Sequence, residues 1–209
     1  MKSYVIHLIR HGAIDETLSG QYIGTTDVPL SEKGKQALRE FDRTRCYPYT
    51  QVVFTSPLQR CTETCRILYP DINPLSIANL CECNFGDWEG KTAEELRDDP
   101  VFEKWLAGDS DAAPPHGESN ADFIRRICRM FESIVEGLMK TGTTDSVIVT
   151  HGGVIMTLLA VYGLPQAKPF EWTMDNGFGY SVRITPMLWQ RDKVAEVFAR
   201  IPTVQEDEE

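Results

Sequence analysis

The sequence predicts an α/β protein: a three-layer sandwich in which a mostly parallel sheet carries helices on both faces. Short apolar runs rich in Val and Ile alternate with longer amphipathic segments, the pattern of parallel strands joined by crossover helices. Charged and polar groups stand at the C-terminal ends of those runs rather than inside them. At 209 residues and 42% hydrophobic composition, the chain suits one domain whose core needs no disulfide staples.

Tyr4 to Ile9 reads as a buried first strand. Residues 12–30 are rich in Gly, Thr and Asp, and a loop this long without structure of its own is usually functional. Ser31 is placed to cap a helix that runs to about Arg45. Gln51 to Phe54 is a second strand. Ser56-Pro57 then opens a second helix, with Pro at its first position, to about Tyr69. Pro74 to Ile77 is a third short strand. A loop follows over 79–92, short helices over 92–107, and a second loop at Pro114-Pro115-His116-Gly117. Glu118 or Ser119 opens a long helix whose Phe123, Ile127, Phe131, Ile134 and Leu138 recur at three- and four-residue spacing. Val147-Ile148-Val149 is a further buried strand, and Gly152-Gly153 begins a helix to about Tyr162. Tyr180–Ile184 and Val194–Ile201 read as late strands, the second alternating as an edge. Residues 80–140 interrupt the alternation and are expected to form a helical insertion over the sheet's C-terminal edge, where such sheets bind ligands. The expectation is one domain over 1–209 with an acidic tail at 203–209.

Thirty-one acidic residues against 21 basic ones give a net charge of −10, which argues against a nucleic-acid partner. No apolar run approaches the roughly 18–20 residues of a membrane span. Met1 to Ile9 is too short for a signal-peptide core and is interrupted by Arg10-His11, so a cytoplasmic location is expected. The six cysteines contain no C-x-x-C and are expected as reduced thiols; Cys81-x-Cys83 as a metal or redox pair is the lesser reading.

The chemistry gathers at three strand ends. Arg10-His11-Gly12 follows the first strand, Ser56-Pro57-Leu58-Gln59-Arg60 the second, and His151-Gly152-Gly153 follows Val147–Val149. Parallel strand ends share one rim, so these groups can meet in space. Two Arg and two His there suit a compact dianion, most naturally phosphate, because the guanidinium fork matches phosphate oxygens. Gly152-Gly153 at a helix start can add backbone N–H donors. A neutral His beside phosphate suggests attack on phosphorus by the imidazole. A displaced alcohol then needs a proton, which either Glu82 or Glu89 could give on position alone.

At these residues the chain resembles the histidine phosphatase superfamily, the phosphoglycerate mutase-like fold. Arg10-His11-Gly12, the run Gly24-x-x-Asp27-x-Pro29-Leu30-Ser31-x-x-Gly34, Thr55-Ser56-Pro57-Leu58-x-Arg60-x-x-x-Thr64, Glu82-x-x-Phe85-Gly86-x-Trp88-Glu89-Gly90 and Thr150-His151-Gly152-Gly153 follow the family pattern in order. The resemblance implies that His11 is the nucleophile, that Arg10, Arg60 and His151 bind the transferring phosphoryl group, and that Glu82 is the proton donor. Glu89 then belongs to a structural turn. Gly12, Thr17, Gly24, Gly152 and His116 are the expected substrate contacts. The four His and six Cys show no metal-ligand spacing, so no metal and no cofactor are expected. The expected partner is a small phosphorylated molecule; a homodimer is left open.

Three departures bear on which member it resembles. Ala13 stands where many members have Glu, Thr17 where mutases have Asn, and His116 where a small residue is usual. The first two weigh against a phosphoglycerate mutase, the isomerase alternative. A non-catalytic phospho-ligand module is the other alternative; it needs neither nucleophile nor acid. The run Gly20 to Leu30 resembles the loop of α-ribazole phosphatases, a feature that broad-specificity phosphatases share. The expected function is a metal-independent phosphomonoesterase acting on the phosphate of a nucleoside-like or sugar alcohol, with α-ribazole 5′-phosphate as the best single candidate.

Overall fold

The computed structural model describes residues 2–204. Its elements run β1 (Tyr4–Arg10), α1 (Glu32–Thr44), β2 (Arg45–Cys46), β3 (Val53–Thr55), α2 (Gln59–Leu68), β4 (Leu75–Ser76), α3 (Ala93–Leu96), α4 (Pro100–Leu106), α5 (Asn120–Thr141), β5 (Asp145–Thr150), α6 (Gly152–Tyr162), β6 (Gly163–Leu164), β7 (Gly179–Ile184), α7 (Pro186–Asp192), β8 (Ala195–Ile201) and β9 (Thr203–Val204). Seven strands form one sheet in the order β4-β3-β5-β1-β7-β8-β6. Its pairings are parallel except where β7 meets β1 and β8, so the predicted α/β sandwich with a mostly parallel sheet is the observed one.

The strand sequences explain the two-sided burial. Side chains alternate between faces with period two. Ile6 and Leu8 of β1 join Ile148 of β5 in one core, under α5 and α6. Ile9 joins Val147 and Val149 in the other, against Leu38 of α1 and Cys61, Cys65 and Leu68 of α2. Both faces need helical cover, and the chain supplies it.

Several expected boundaries shift. Pro57 does not begin α2; Leu58 is still extended, and the helix starts at Gln59. The insertion is narrower than 80–140. The buried residues of α5, including Ile127, Phe131 and Val135, share a core with β1 and β5, so α5 is a layer of the sandwich. Thr203 and Val204 are not tail: they pair with Cys46 and Arg45. The acidic run 205–209 lies outside the described residues. β8 is flanked at its start by the two-residue β6, and α7 had no counterpart in the sequence pattern. Among the described residues, no helix is long and apolar enough to cross a membrane.

Register places the site. Arg10 pairs with Thr150 of β5, and Thr55 of β3 pairs with Val149. His11, His151 and Ser56 therefore leave the sheet side by side at one edge.

Candidate active site

His11 is buried, and its Nδ1 lies 2.7 Å from the Gly12 carbonyl oxygen. A carbonyl only accepts, so Nδ1 carries the ring proton and the lone pair sits on Nε2. Burial, with the nearby Arg60 charge, holds the His11 pKa down to about 3; the Gly12 bond pulls the other way and does not offset this. The ring is neutral at ordinary pH. Asn176 Nδ2 donates to the His11 and Gly12 carbonyls at 3.0 and 3.3 Å, fixing the backbone on which the imidazole stands.

Arg60 is fully buried at the start of α2. Its Nη2 donates to the Gly24 carbonyl at 2.6 Å, its Nη1 to the Thr26 carbonyl at 2.9 Å, and its Nε to His151 Nδ1 at 3.3 Å. His151 therefore carries its proton on Nε2 and donates it to Ser56 Oγ at 2.9 Å. Burial, with the positive charge around it, keeps His151 well below its usual pKa. The rings of His11 and His151 meet edge to face at 5.2 Å. Arg10 is placed differently. Its Nη1 donates to the Met174 carbonyl at 2.9 Å, while its Nε is buried with no hydrogen-bond partner among the described residues. An unpartnered guanidinium N–H in a cavity is a donor set aside for an anion.

Glu82 enters from the loop after β4. Its carboxylate accepts from Cys83 N at 3.0 Å and from Gly153 N, in the first turn of α6, at 2.9 Å. A Cβ on residue 153 would stand 2.5 Å from the Glu82 carboxylate, so glycine there is what admits the side chain. Burial pushes the Glu82 pKa up; the two N–H donors and the Arg60 and Arg10 charges draw it back without cancelling the effect. A carboxyl group that holds its proton longer than usual suits proton donation.

A cavity of about 740 Å³ opens onto this set and is lined by Arg10, His11, Arg60, Glu82 and Gly152, with Met156 and Asn176 among the rest. Of the expected substrate contacts only Gly152 lines it. Gly12 turns its N–H to Thr64 Oγ1 at 2.9 Å and its carbonyl to His11. Gly24 lies behind Arg60, where any Cβ would collide with the Cys83 carbonyl. Thr17 is exposed, and both its N–H and its hydroxyl donate to Asp15 Oδ1. His116 stands outside, beside Asp87 at 3.1 Å. Motif spacing fixed where these residues fall on the chain but not where their side chains point. Met156 and Asn176 lie in no motif, so the sequence pattern does not point to them; Asn176 reaches His11 from the segment before β7. His7 bonds Ser181 and faces Asp145 in the core, apart from His11. Among the described residues, no three His, Cys, Asp or Glu side chains gather as a metal-binding group.

The model of the histidine phosphatase superfamily (branch 1) matches residues 6–196. The chain belongs to that superfamily. As a histidine phosphatase superfamily member it is 30% identical over 162 residues to 2,3-bisphosphoglycerate-dependent phosphoglycerate mutase 2 of Gloeobacter violaceus, covering 73% of this chain and 72% of that one. It is 30% identical over 167 residues to the phosphoglycerate mutase of Schizosaccharomyces pombe, covering 73% and 76%. Its fold is shared with the α-ribazole phosphatase of Shigella flexneri at a TM-score of 0.79 and 23% identity, over 98% of this chain and all of the other. A protein of Thermus thermophilus superposes at a TM-score of 0.69 with 28% identity, over 94% and 98%. Of these proteins, two are described as phosphoglycerate mutases and one, alike in fold, as an α-ribazole phosphatase.

Proposed function

We propose that the protein is a metal-independent phosphomonoesterase that works through a phosphohistidine. The observation that carries this reading is the pairing of a neutral His11, its lone pair on Nε2, with a Glu82 carboxyl of raised pKa in one cavity. The phosphoryl dianion seats against Arg10 and Arg60, whose charges balance it. His11 Nε2 attacks phosphorus; the bond to the alcohol oxygen breaks, and that oxygen takes the proton of Glu82. The Glu82 carboxylate then takes a proton from water as the water oxygen attacks phosphorus. Phosphate leaves, and His11 and Glu82 return to their starting states. His151 is bonded to Arg60 and Ser56, and it holds Arg60 and the His11 ring in place for these steps.

The substrate we propose is α-ribazole 5′-phosphate. The Gly20–Leu30 loop supports it, as does the fold shared over nearly the whole chain with a protein described as an α-ribazole phosphatase. The mutase reading draws on the names of the 30% identical relatives. Against it, Thr17 occupies the position of the mutases' Asn, and its side chain is turned to Asp15 rather than into the cavity. A steady-state comparison in the presence of excess chelator decides between them. We expect kcat/KM for α-ribazole 5′-phosphate at least about tenfold above that for 3-phosphoglycerate, roughly 1.4 kcal/mol of transition-state preference. Mutase turnover outpacing phosphate release would reverse the reading, and activity lost to chelation and restored by a divalent ion would overturn the metal-free mechanism.

A further inference from the structure

The cavity is larger than a phosphoryl group requires. At about 740 Å³ it falls in the range of pockets that hold a drug-sized molecule. What lies beyond His11, Arg10 and Arg60 must therefore meet the alcohol being released.

Two walls make up that remainder. One is the loop after β1, from Ala13 to Ile23; the other is the first turn of α6, with Met156 one turn beyond Gly152. The loop wall is pinned at both ends, by Ser31 N to the Ala13 carbonyl at 3.0 Å and by Tyr22 N to the Lys91 carbonyl at 2.8 Å. It is thus formed before anything binds. Ile14, Leu18 and Ile23 give it apolar surface, and Met156 adds more from α6. Its charged members are Asp15 and Glu16, and among the described residues the only cations lining the cavity are Arg10 and Arg60. Glu16 is already paired with Lys33 at 2.6 Å. Among the described residues, the Asp15 carboxylate bonds only to Thr17, through Oδ1, and no cation touches it. Once a phosphoryl dianion has balanced the two arginines, Asp15 is the uncompensated charge that the leaving group meets.

We propose that Asp15, Ile14, Leu18, Ile23 and Met156 form a leaving-group subsite that selects phosphomonoesters of bulky, partly apolar alcohols carrying no anionic group. The inference rests on the phosphomonoesterase reading and adds to it the charge and character of the substrate. A second phosphate or a carboxylate on the substrate would face Asp15 with no cation to receive it, whereas an aromatic or aliphatic body gains apolar contact.

Benzyl phosphate and 4-carboxybenzyl phosphate have similar leaving groups and differ by one distant charge. With the full chain at fixed, low ionic strength, kcat/KM for benzyl phosphate should exceed that for the carboxylated ester at least about tenfold. Asp15→Asn keeps the oxygen that caps Thr17 and removes the charge; it should shrink that ratio at least about threefold. A carboxylated ester cleaved as fast as the neutral one would overturn the inference while leaving the phosphatase reading intact, because phosphate is still released. A ratio unchanged in Asp15→Asn would overturn the role of Asp15. No phosphate released from either ester, and no phosphoenzyme formed, would remove the phosphatase reading and this inference together.

Discussion

Glu82 and Glu89 stand seven residues apart in one loop, and their surroundings give them different work. Glu89 accepts from the N–H groups of Gly24, Thr25, Thr26 and Phe85 and from the Thr26 hydroxyl, at 2.6–3.3 Å. It ties the turn at 24–26 to the loop before α3, and that turn supplies the carbonyls that hold Arg60. Among the described residues, Glu82 accepts from only two N–H groups, and it lines the cavity. The same side chain is an anchor where chain donors surround it and a proton store where burial outweighs a few donors. Donor count and access to the cavity, not proximity in sequence, separate the two.

The largest expected effect tests the Glu82 side of this contrast. Glu82→Gln should slow hydrolysis of an alkyl phosphate by roughly 10²–10⁴-fold, while p-nitrophenyl phosphate, whose phenolate leaves without a proton, loses far less. Steady-state rates on both esters measure it. Equal losses would remove the proton-donor role, and the selective loss in Glu89→Gln instead would exchange the two assignments.

Glu89→Gln should show its effect in stability. An amide NH₂ would be turned against backbone N–H groups that need an acceptor, at a cost of about 2 kcal/mol. For a chain of this size that lowers the melting midpoint by about 4–8 °C. The ratio of alkyl to p-nitrophenyl rates should stay as in the wild type. A calorimetric midpoint unchanged by the substitution would contradict the anchoring role.

The smallest effect is in the pH profile. The Glu82 pKa lies above the usual carboxyl value, so the protonated, donating form persists to higher pH and is lost as pH rises through that raised value. Alkyl-ester turnover should fall along that limb, and Glu82→Gln should lack it. His11 is held to about 3, so its neutral, attacking form is present at all pH values above that, and no limb from His11 should appear near pH 6. Such a limb would mean that His11 takes up a proton in the free enzyme.

Much of this arrangement was legible in the residues because it depends on strand ends. The Val- and Ile-rich runs located β1, β3 and β5. Their parallel register then brings Arg10, His11, Arg60 and His151 together, as the sequence order implied. What stayed hidden depends on side-chain direction or on distant returns of the chain. Thr17 and His116 fall at motif positions, yet turn to Asp15 and Asp87. Asn176 meets the His11 carbonyl across 165 residues, with no local pattern to announce it. Ser56-Pro57 reads as a helix start because Pro favours that position; Leu58 is nonetheless extended, and α2 begins only at Gln59.

The Nδ1 bond to the Gly12 carbonyl makes the most direct test available. With Nδ1 protonated and engaged, only Nε2 can attack phosphorus. Rapid alkaline quenching during turnover, followed by ³¹P NMR and mass spectrometry of the phosphopeptide, identifies both the residue and the ring nitrogen. The phosphoryl group should be found on His11 Nε2 in the wild type and be absent from His11→Ala. A phosphoryl group on Nδ1, on another residue, or still trapped in His11→Ala would contradict the assignment of His11 as the nucleophile.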